Sequence, residues 1–242
     1  IMSSDWSSDV CSSDLFRRRD LEIANRSYRR NLEQMVDERT DSLQRSMKKL
    51  ENAMNGIVRA IAHTVETRDP YTAGHQRRVA ELAAALAETV GFERDKIEAV
   101  RVAAIIHDLG KISVPAEILS KPSRLTVNEF NLIKEHPQVG YDILKDIEFP
   151  WEIATMVYQH HEKLDGSGYP LGISGEAILP ESRVLTVSDV VEAMASHRPY
   201  RPGLGIDIAL EEIDKNKGKL YDPDVAAACR ALFMEKHFSF GT

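Results

Sequence analysis

The sequence is poor in cysteine, in long apolar runs and in excess positive charge. Its two cysteines, Cys11 and Cys229, are too few for a disulfide framework, so we expect a reducing, cytoplasmic setting. No apolar run approaches the roughly 20 residues that a membrane-spanning helix needs, and no signal peptide is visible. The formal net charge of −7 disfavours binding to bulk nucleic acid, because the chain lacks a basic face that would release counterions from phosphates.

Residues 1–15 nearly repeat one Ser-Ser-Asp-apolar tetrapeptide and show neither a helical nor a strand period. We therefore expect them to be a disordered or artefactual tail. Because the first residue is Ile1, we also expect the sequence to be a fragment. With 242 residues and 43% hydrophobic content, the chain is long enough for one globular domain plus an extension.

Residues 16–68 contain no proline and a sustained seven-residue apolar repeat. The repeat consists of Val36, Leu43, Leu50 and Ile57, with Thr40, Met47, Met54 and Ile61 at the companion positions. This pattern is typical of a coiled coil, and the alternative is a single amphipathic helix packed on its own domain. We favour a parallel coiled coil that makes a homodimer and links the chain to a sensor or receiver domain upstream.

Residues 69–242 alternate between helical apolar stripes and short loops, without a convincing strand period. Pro70 and Gly74 interrupt the long helix, and Thr126 and Asp222 are candidate N-caps. Helices are predicted at about 76–90, 93–109, 126–135, 138–146, 151–161, 181–196, 205–216 and 223–236. The predicted fold class is all-α, a helical bundle that follows the long N-terminal helix.

Two histidine motifs in residues 69–242 suggest a metal site. His107-Asp108 is followed by Leu109-Gly110-Lys111, and a helix that ends at Gly110 allows both side chains to reach one point. An imidazole beside a carboxylate suits Fe, Mn or Zn, and the two carboxylate oxygens can bridge two ions. His160-His161 opens the stretch HHEKLDGSGYP, whose glycines permit a close approach to a ligand.

Six blocks of residues 60–235 resemble the HD-GYP family, the cyclic di-GMP phosphodiesterase branch of the HD superfamily. The blocks are RDPYTAGHQRRVA (68–80), AAIIHDLGKISVP (103–115), IKEHPQVGYDIL (133–144), HHEKLDGSGYP (160–170), RVLTVSDVVEAM (183–194) and SHRPYR (196–201). The resemblance implies an HD-type helical bundle in residues 69–242. It also implies a metal-dependent phosphodiesterase that converts cyclic di-GMP to linear pGpG, and to GMP if a second cut follows.

The resemblance implies a dinuclear metal centre in which iron or manganese is the expected metal. The residues that match ligands of one ion are His75, His107, Asp108 and Asp189, and those that match the second are His136, His160, His161 and a bridging Asp108. Some members of the family hold a third ion with a glutamate where this chain has Tyr71. Because tyrosine loses its proton only near about pH 10, we expect two ions.

Further matches imply contacts with the substrate. Lys111 resembles the active-site lysine of the family, and we expect it to act in catalysis with Asp108 and to contact the substrate. Arg198 and Arg201 match a basic pair that contacts phosphate, a role that suits the planar guanidinium. Tyr169 either stacks on a guanine of the substrate or packs its own loop.

Two other functions fit the same motifs. A catalytically silent sensor or scaffold would bind a cyclic dinucleotide without cutting it, but degenerate relatives of that kind lose metal ligands that this sequence keeps. An HD phosphohydrolase for another cyclic dinucleotide, such as cyclic GMP-AMP, would keep those ligands. Metal analysis combined with turnover assays distinguishes a silent sensor from an enzyme. Substrate competition assays distinguish cyclic di-GMP from another cyclic dinucleotide as the substrate.

Overall fold

The structure, a computed structural model, describes residues 6–68, 74–121, 123–196 and 203–240, with side chains from residue 15 onward. The chain divides into two compact units, Ile1–Asn55 and Gly56–Thr242. Within the described residues every regular element is a helix, and the sole strand-like pairing is an isolated bridge between Lys217 and Tyr221. The predicted all-α fold class is therefore confirmed.

The α-helices of the described ranges are numbered in chain order. They are α1 (Trp6–Arg68), α2 (His75–Thr89), α3 (Arg94–Ile106), α4 (Ala116–Leu119), α5 (Val127–Ile133), α6 (His136–Leu144), α7 (Ile153–Gln159), α8 (Pro180–Ala195), α9 (Ile206–Lys215) and α10 (Pro223–Met234). Short 3₁₀ helices span Leu109–Ser113 and Gly175–Ala177. All helices predicted after residue 69 occur, whereas α4 and the 3₁₀ helices were not predicted because single turns are too short to show a period.

Helix α1 begins at Trp6, before the predicted start at residue 16, and ends at Arg68 as predicted. The structure thus describes residues 6–15 as part of α1. Extending an existing helix adds one hydrogen bond for each residue fixed, so a segment of weak helix formers can continue it. The origin of residues 1–15 and the division into a linker helix and a catalytic domain stay predictions.

The seven-residue repeat of the first unit lies on the surface of α1. Val36, Leu43 and Leu50 keep 62%, 61% and 72% of their surface exposed. A contiguous apolar stripe of this kind is unusual on a helix that stays alone in water. The exposure agrees with the predicted coiled-coil seam, and pairing with a second helix stays a prediction.

Helix α8 is the central helix of the second unit and packs against α2, α3, α7, α9 and α10. Its residues Val184, Leu185 and Val187 are fully buried. Burying one such side chain stabilises the fold by about 1.5–3 kcal/mol. Because α8 is covered on several sides, its carboxylate Asp189 also lies inside the protein, with 8% of the residue exposed.

Local sequence accounts for two helix starts. At α5 the Thr126 hydroxyl accepts from the backbone N–H of Glu129, while the Glu129 carboxylate accepts from the backbone N–H of Thr126. At α10 the Asp222 carboxylate accepts from the backbone N–H groups of Asp224 and Val225. Both predicted N-caps are confirmed, and each satisfies backbone donors that have no partner within the helix.

The 3₁₀ helix Leu109–Ser113 packs closely against α6. A Cβ atom built on Gly110 would lie 1.9 Å from the carbonyl oxygen of His136 and 2.7 Å from the backbone nitrogen of Gly140. Only glycine permits such an approach between backbones. The contact brings Asp108, just before this 3₁₀ helix, next to His136, the first residue of α6.

Among the helices of the described ranges, none combines the length and the apolar character that crossing a bilayer requires.

Candidate metal centre

The seven predicted metal ligands converge in the second unit from separate chain segments. His75 opens α2, His107 and Asp108 follow α3, and His136 opens α6. His160 and His161 follow α7, and Asp189 lies within α8. Six of them are buried, and the His161 side chain keeps 22% of its surface exposed.

The first group of ligand atoms comes from His75, His107 and Asp189, which lie within 4.8 Å of one another. The Asp189 Oδ1 atom is 3.3 Å from Nε2 of His75 and 3.8 Å from Nε2 of His107. Two imidazole nitrogens and one carboxylate oxygen facing a common point form half of the usual ligand set of a transition-metal ion.

The second group comes from His136, His160 and His161, whose ligand atoms also lie within 4.8 Å of one another. The Nε2 atoms of His136 and His160 are 3.2 Å apart. The rings of His160 and His161 are tilted by 40° with centroids 4.0 Å apart. Three imidazoles in this arrangement can surround one cation.

Asp108 lies between the two groups and directs one oxygen toward each. Its Oδ2 atom is 3.5 Å from Nε2 of His107 and 3.9 Å from Nε2 of His75. Its Oδ1 atom is 3.4 Å from Nε2 of His136, in the second group. A carboxylate with this orientation can bridge two ions.

Backbone carbonyls fix the orientation of three histidines. The Nδ1 atoms of His107, His136 and His160 lie 2.7, 2.6 and 2.6 Å from the carbonyl oxygens of the residues three positions earlier. A carbonyl oxygen only accepts, so each Nδ1 must donate and each neutral ring presents the lone pair of Nε2 to the centre. Metal-binding histidines are commonly held in this way.

His75 is held instead by a buried carboxylate that the sequence analysis did not identify. Its Nδ1 contacts Oε2 of Glu192, whose Oε1 also accepts from the Arg78 guanidinium at 2.7 Å and from the Ser196 hydroxyl at 2.6 Å. Glu192 is 1% exposed. The available signal was its position one helical turn after Asp189 in an otherwise apolar helix.

Burial and neighbouring charges shift the pKa values of the cluster in different directions. Burial lowers the pKa of His136 to about 4 and that of His160 to about 3, so both rings are neutral at pH 7. Burial also lowers the pKa of His75, but Asp189 and Glu192 outweigh it and raise that pKa to about 9. Burial opposes the charge of Asp108, yet Lys111 and His107 hold its pKa well below the usual range.

The residues fit a bound cation. Nε2 of His107 is buried and has no hydrogen-bond partner among the described residues. Leaving such a polar atom unsatisfied costs about 1–3 kcal/mol, and a metal ion would satisfy it. Since the donors are imidazoles and carboxylates, they suit Fe, Mn or Zn better than Mg or Ca.

Of the predicted substrate contacts, Lys111 and Tyr169 lie beside the metal-ligand cluster, whereas the two arginines are not described. Nζ of Lys111 lies 2.7 Å from Oδ2 of Asp108, and the Tyr169 ring packs at 4.7 Å between centroids on the ring of the predicted ligand His161. Arg198 and Arg201 lie outside the described residues, as does Tyr71. The roles predicted for these three residues therefore stay predictions.

The loop that carries Tyr169 is tied to the cluster by its own polar residues. The buried Glu162 accepts through Oε1 from the backbone N–H groups of Leu171, at 2.7 Å, and Gly172, at 3.2 Å. Asp165 accepts from the backbone N–H and the hydroxyl of Ser167. Asp165 thus stabilises the loop.

The cluster opens into a cavity of about 880 Å³. Five of the predicted ligands and Lys111 line one part of it, and residues within 118–121 and 123–133 supply another part. The second part carries Lys121, Arg124 and Phe130, which the sequence analysis did not identify. The volume lies within the about 300–1,000 Å³ that is usual for sites of small molecules.

A family profile described as HD domain matches residues 57–225. The chain belongs to the HD-domain family. Its HDLGK and GYP sequences make it an HD domain of the HD-GYP type. The predicted family membership is confirmed, and the matched range contains all seven clustered residues.

Two curated relatives of this HD domain act on cyclic dinucleotides by name. The "Cyclic di-GMP phosphodiesterase response regulator RpfG" of Xanthomonas campestris pv. campestris is 37% identical over 74% of this chain and 48% of its own length. The "3'3'-cGAMP-specific phosphodiesterase 3" of Vibrio cholerae is 37% identical over 72% of this chain and 38% of its own. The chain thus spans half or less of the length of these relatives.

A solved structure shares the fold. Bd1817, a HDG"Y"P protein from Bdellovibrio bacteriovorus, superposes with a TM-score of 0.57 and 19% identity over 66% of this chain and 51% of its own. At this identity the likeness concerns the fold alone. The predicted HD-type helical bundle is confirmed.

Proposed function

We propose that this HD domain is a dinuclear-metal phosphodiesterase that hydrolyses cyclic di-GMP to linear pGpG. The observation that carries the proposal is the orientation of Asp108. Its two oxygens face two separate groups of imidazole and carboxylate ligands at the base of a cavity large enough for a nucleotide ligand. Two adjacent cations are suited to phosphodiester cleavage, because they stabilise the attacking and the leaving oxygens together.

Each residue of the cluster has a proposed role. His75, His107 and Asp189 would hold one ion, His136, His160 and His161 the other, and Asp108 both. Iron or manganese is the proposed metal, from the histidine-rich mixed ligand set. When bound, such ions supply Lewis acidity and lower the pKa of water.

The chain itself orients the substrate and neutralises charge. Lys111 lines the cavity beside Asp108, where its ammonium can hold a non-bridging phosphate oxygen or protonate the leaving oxygen. Arg198 and Arg201 are proposed as further phosphate contacts because two N–H donors of a guanidinium lie in one plane. Tyr169, which lines the cavity, is proposed to contact a guanine base.

The choice of cyclic di-GMP rests on the GYP motif and on the names of several relatives. Curated relatives from Xanthomonas, Thermotoga and Pseudomonas are named cyclic di-GMP phosphodiesterases, whereas others from Vibrio cholerae are named for 3'3'-cGAMP. Cyclic di-GMP is therefore the first substrate to test, with 3'3'-cGAMP as its competitor.

The decisive experiment is anaerobic purification followed by metal analysis and product chromatography. We expect about two Fe or Mn ions per chain and conversion of cyclic di-GMP to pGpG. Full metal loading without any product would make the domain a cyclic-dinucleotide sensor instead. Faster turnover of 3'3'-cGAMP in a competition assay would reassign the substrate while keeping the enzyme class.

The long helix is proposed to join this enzyme to its control. We propose that residues 16–68 pair with those of a second copy as a parallel coiled coil and connect to an input domain upstream. The exposed seven-residue repeat supports the pairing, and the greater length of the relatives leaves room for further domains. The free buried thiol of Cys229 agrees with the proposed cytoplasmic location.

A further inference from the structure

We infer that Arg124 binds the phosphate of the cyclic dinucleotide that is not being cut. This inference rests on the proposed function, since it concerns the same cavity and substrate. Arg124 belongs to the loop before α5, which lines the cavity together with metal-cluster residues such as His136 and Asp189.

Arg124 differs from the two lysines of the cavity lining because those lysines already have ion-pair partners. Among the residues that the structure describes, the lysines and arginines lining the cavity are Lys111, Lys121 and Arg124. Lys111 is paired with Asp108 at 2.7 Å, and Lys121 is paired with the Glu129 carboxylate at 2.7 and 2.8 Å. The guanidinium of Arg124 makes no ion pair or hydrogen bond with any residue in the described ranges. Its donors are available to a ligand in the cavity.

The loop that carries Arg124 is tied down on both sides. The Glu129 carboxylate accepts from Nζ of Lys121, from the backbone N–H of Thr126 at 2.7 Å and from the Thr126 hydroxyl at 2.9 Å. These contacts join residues 121 and 126 to the first turn of α5. They fix the two ends of the loop, so less backbone entropy is lost when an anion binds there, while the Arg124 side chain stays free to orient toward it.

The substrate has one more phosphate than the metal cluster needs. A cyclic dinucleotide carries two phosphodiesters, and only one can lie at the cluster during cleavage. The second anion must then sit elsewhere in the cavity, and Arg124, an exposed residue of the lining, can meet it on the solvent-facing side. Arg124 supplies a planar fork of donors on a different chain segment from the ligands, and this geometry suits phosphate.

The test compares Arg124→Ala with Arg94→Ala in the metal-loaded protein. Arg94 is an exposed arginine at the start of α3 that does not line the cavity, so its removal changes net charge equally. One probe is a non-hydrolysable phosphorothioate analogue of cyclic di-GMP, whose dissociation constant is measured by calorimetry. The other is bis(p-nitrophenyl) phosphate, which carries a single phosphate.

We expect Arg124→Ala to weaken binding of the analogue by about tenfold to a hundredfold, and Arg94→Ala to leave it unchanged. The ratio of kcat/KM for cyclic di-GMP to that for bis(p-nitrophenyl) phosphate should fall by a similar factor. Unchanged binding by Arg124→Ala overturns the inference while the enzyme activity stands. Equal losses on both substrates also overturn it, because Arg124 would then act at the reacting phosphate. A parent protein that neither binds the analogue nor cuts cyclic di-GMP overturns the proposed function itself.

Discussion

The Nε2 atoms of His136 and His160 face each other at 3.2 Å, while the Nδ1 atom of each ring donates to a backbone carbonyl. With both Nδ1 atoms protonated, the neutral rings direct two lone pairs at each other. Burial lowers the pKa values to about 4 and 3, so a proton does not relieve this contact at neutral pH. A metal ion would relieve it, because it accepts both lone pairs.

Metal should therefore stabilise the fold. At a free Mn²⁺ concentration of 100 times the dissociation constant, linkage predicts about 2.7 kcal/mol of added stability for one site. His160→Ala should lose most of this gain, whereas His63→Ala, at an exposed position on α1, should keep it. Thermal unfolding with and without Mn²⁺ measures the effect, and an undiminished gain in His160→Ala would remove His160 from the ligand set.

Asp108→Asn should abolish both metal loading and turnover. The amide keeps the shape of the side chain but loses the negative charge of the carboxylate, whose two oxygens face the two groups of ligands. We expect less than one ion per chain and a loss of cyclic di-GMP hydrolysis of about 10³-fold or more. Asp142→Asn, at an exposed aspartate on α6, is the matched control. Metal analysis and product chromatography give the answer, and near-normal activity in Asp108→Asn would refute a bridging role.

Glu192→Gln should weaken metal binding without touching a ligand. The substitution removes the charge that holds Nδ1 of His75 and the Arg78 guanidinium. Loss of such an outer partner typically lowers metal affinity by about 10- to 100-fold. Metal titration of Glu192→Gln tests this, with Glu81→Gln, from an exposed ion pair, as the control. An unchanged metal affinity together with lower stability would mean that Glu192 serves only the fold.

Much of the cluster could be predicted because the blocks that resemble the HD-GYP family assign each ligand, and two pairs of ligands also stand out by themselves. His107-Asp108 and His160-His161 are adjacent in sequence, and Asp189 stands out in an apolar helix. Glu192 and Arg124 escaped prediction for different reasons. Glu192 resembles any acidic residue near a helix end, and its burial follows from the packing of α8. Arg124 lies in a loop without a motif, and only the fold brings that loop to the cavity.

Gly110→Ala should lower the free energy of unfolding of the HD domain. The size of this loss should be several times the gain expected from Gly56→Ala. An alanine Cβ at position 110 would lie 1.9 Å from the carbonyl oxygen of His136, so α6 and the 3₁₀ helix must separate. Overpacking of this kind costs about 1–3 kcal/mol or more. At Gly56 no atom lies within 4 Å of the added Cβ, and alanine in a helix should stabilise by about 0.5–1 kcal/mol. Denaturant unfolding gives both values, and equal effects would contradict the close approach.

Leu43→Asp should dissociate the proposed dimer. A carboxylate in the apolar seam would be buried and would repel its copy across the interface. Gln44→Asp, one residue later and off the repeat, should leave the dimer intact. Analytical ultracentrifugation distinguishes the two outcomes. A parent chain that sediments as a monomer would contradict the coiled coil directly.

The ligands of the cluster extend from His75 to Asp189 and come from α2, α6, α8 and the turns after α3 and α7. Bound ions would therefore fasten together segments that lie far apart in the chain, as a covalent cross-link does. Oxidation or chelation of the metal should then loosen the whole bundle at once, which would expose it to proteases. In a cell, metal supply would set the lifetime of the protein as well as its catalytic rate.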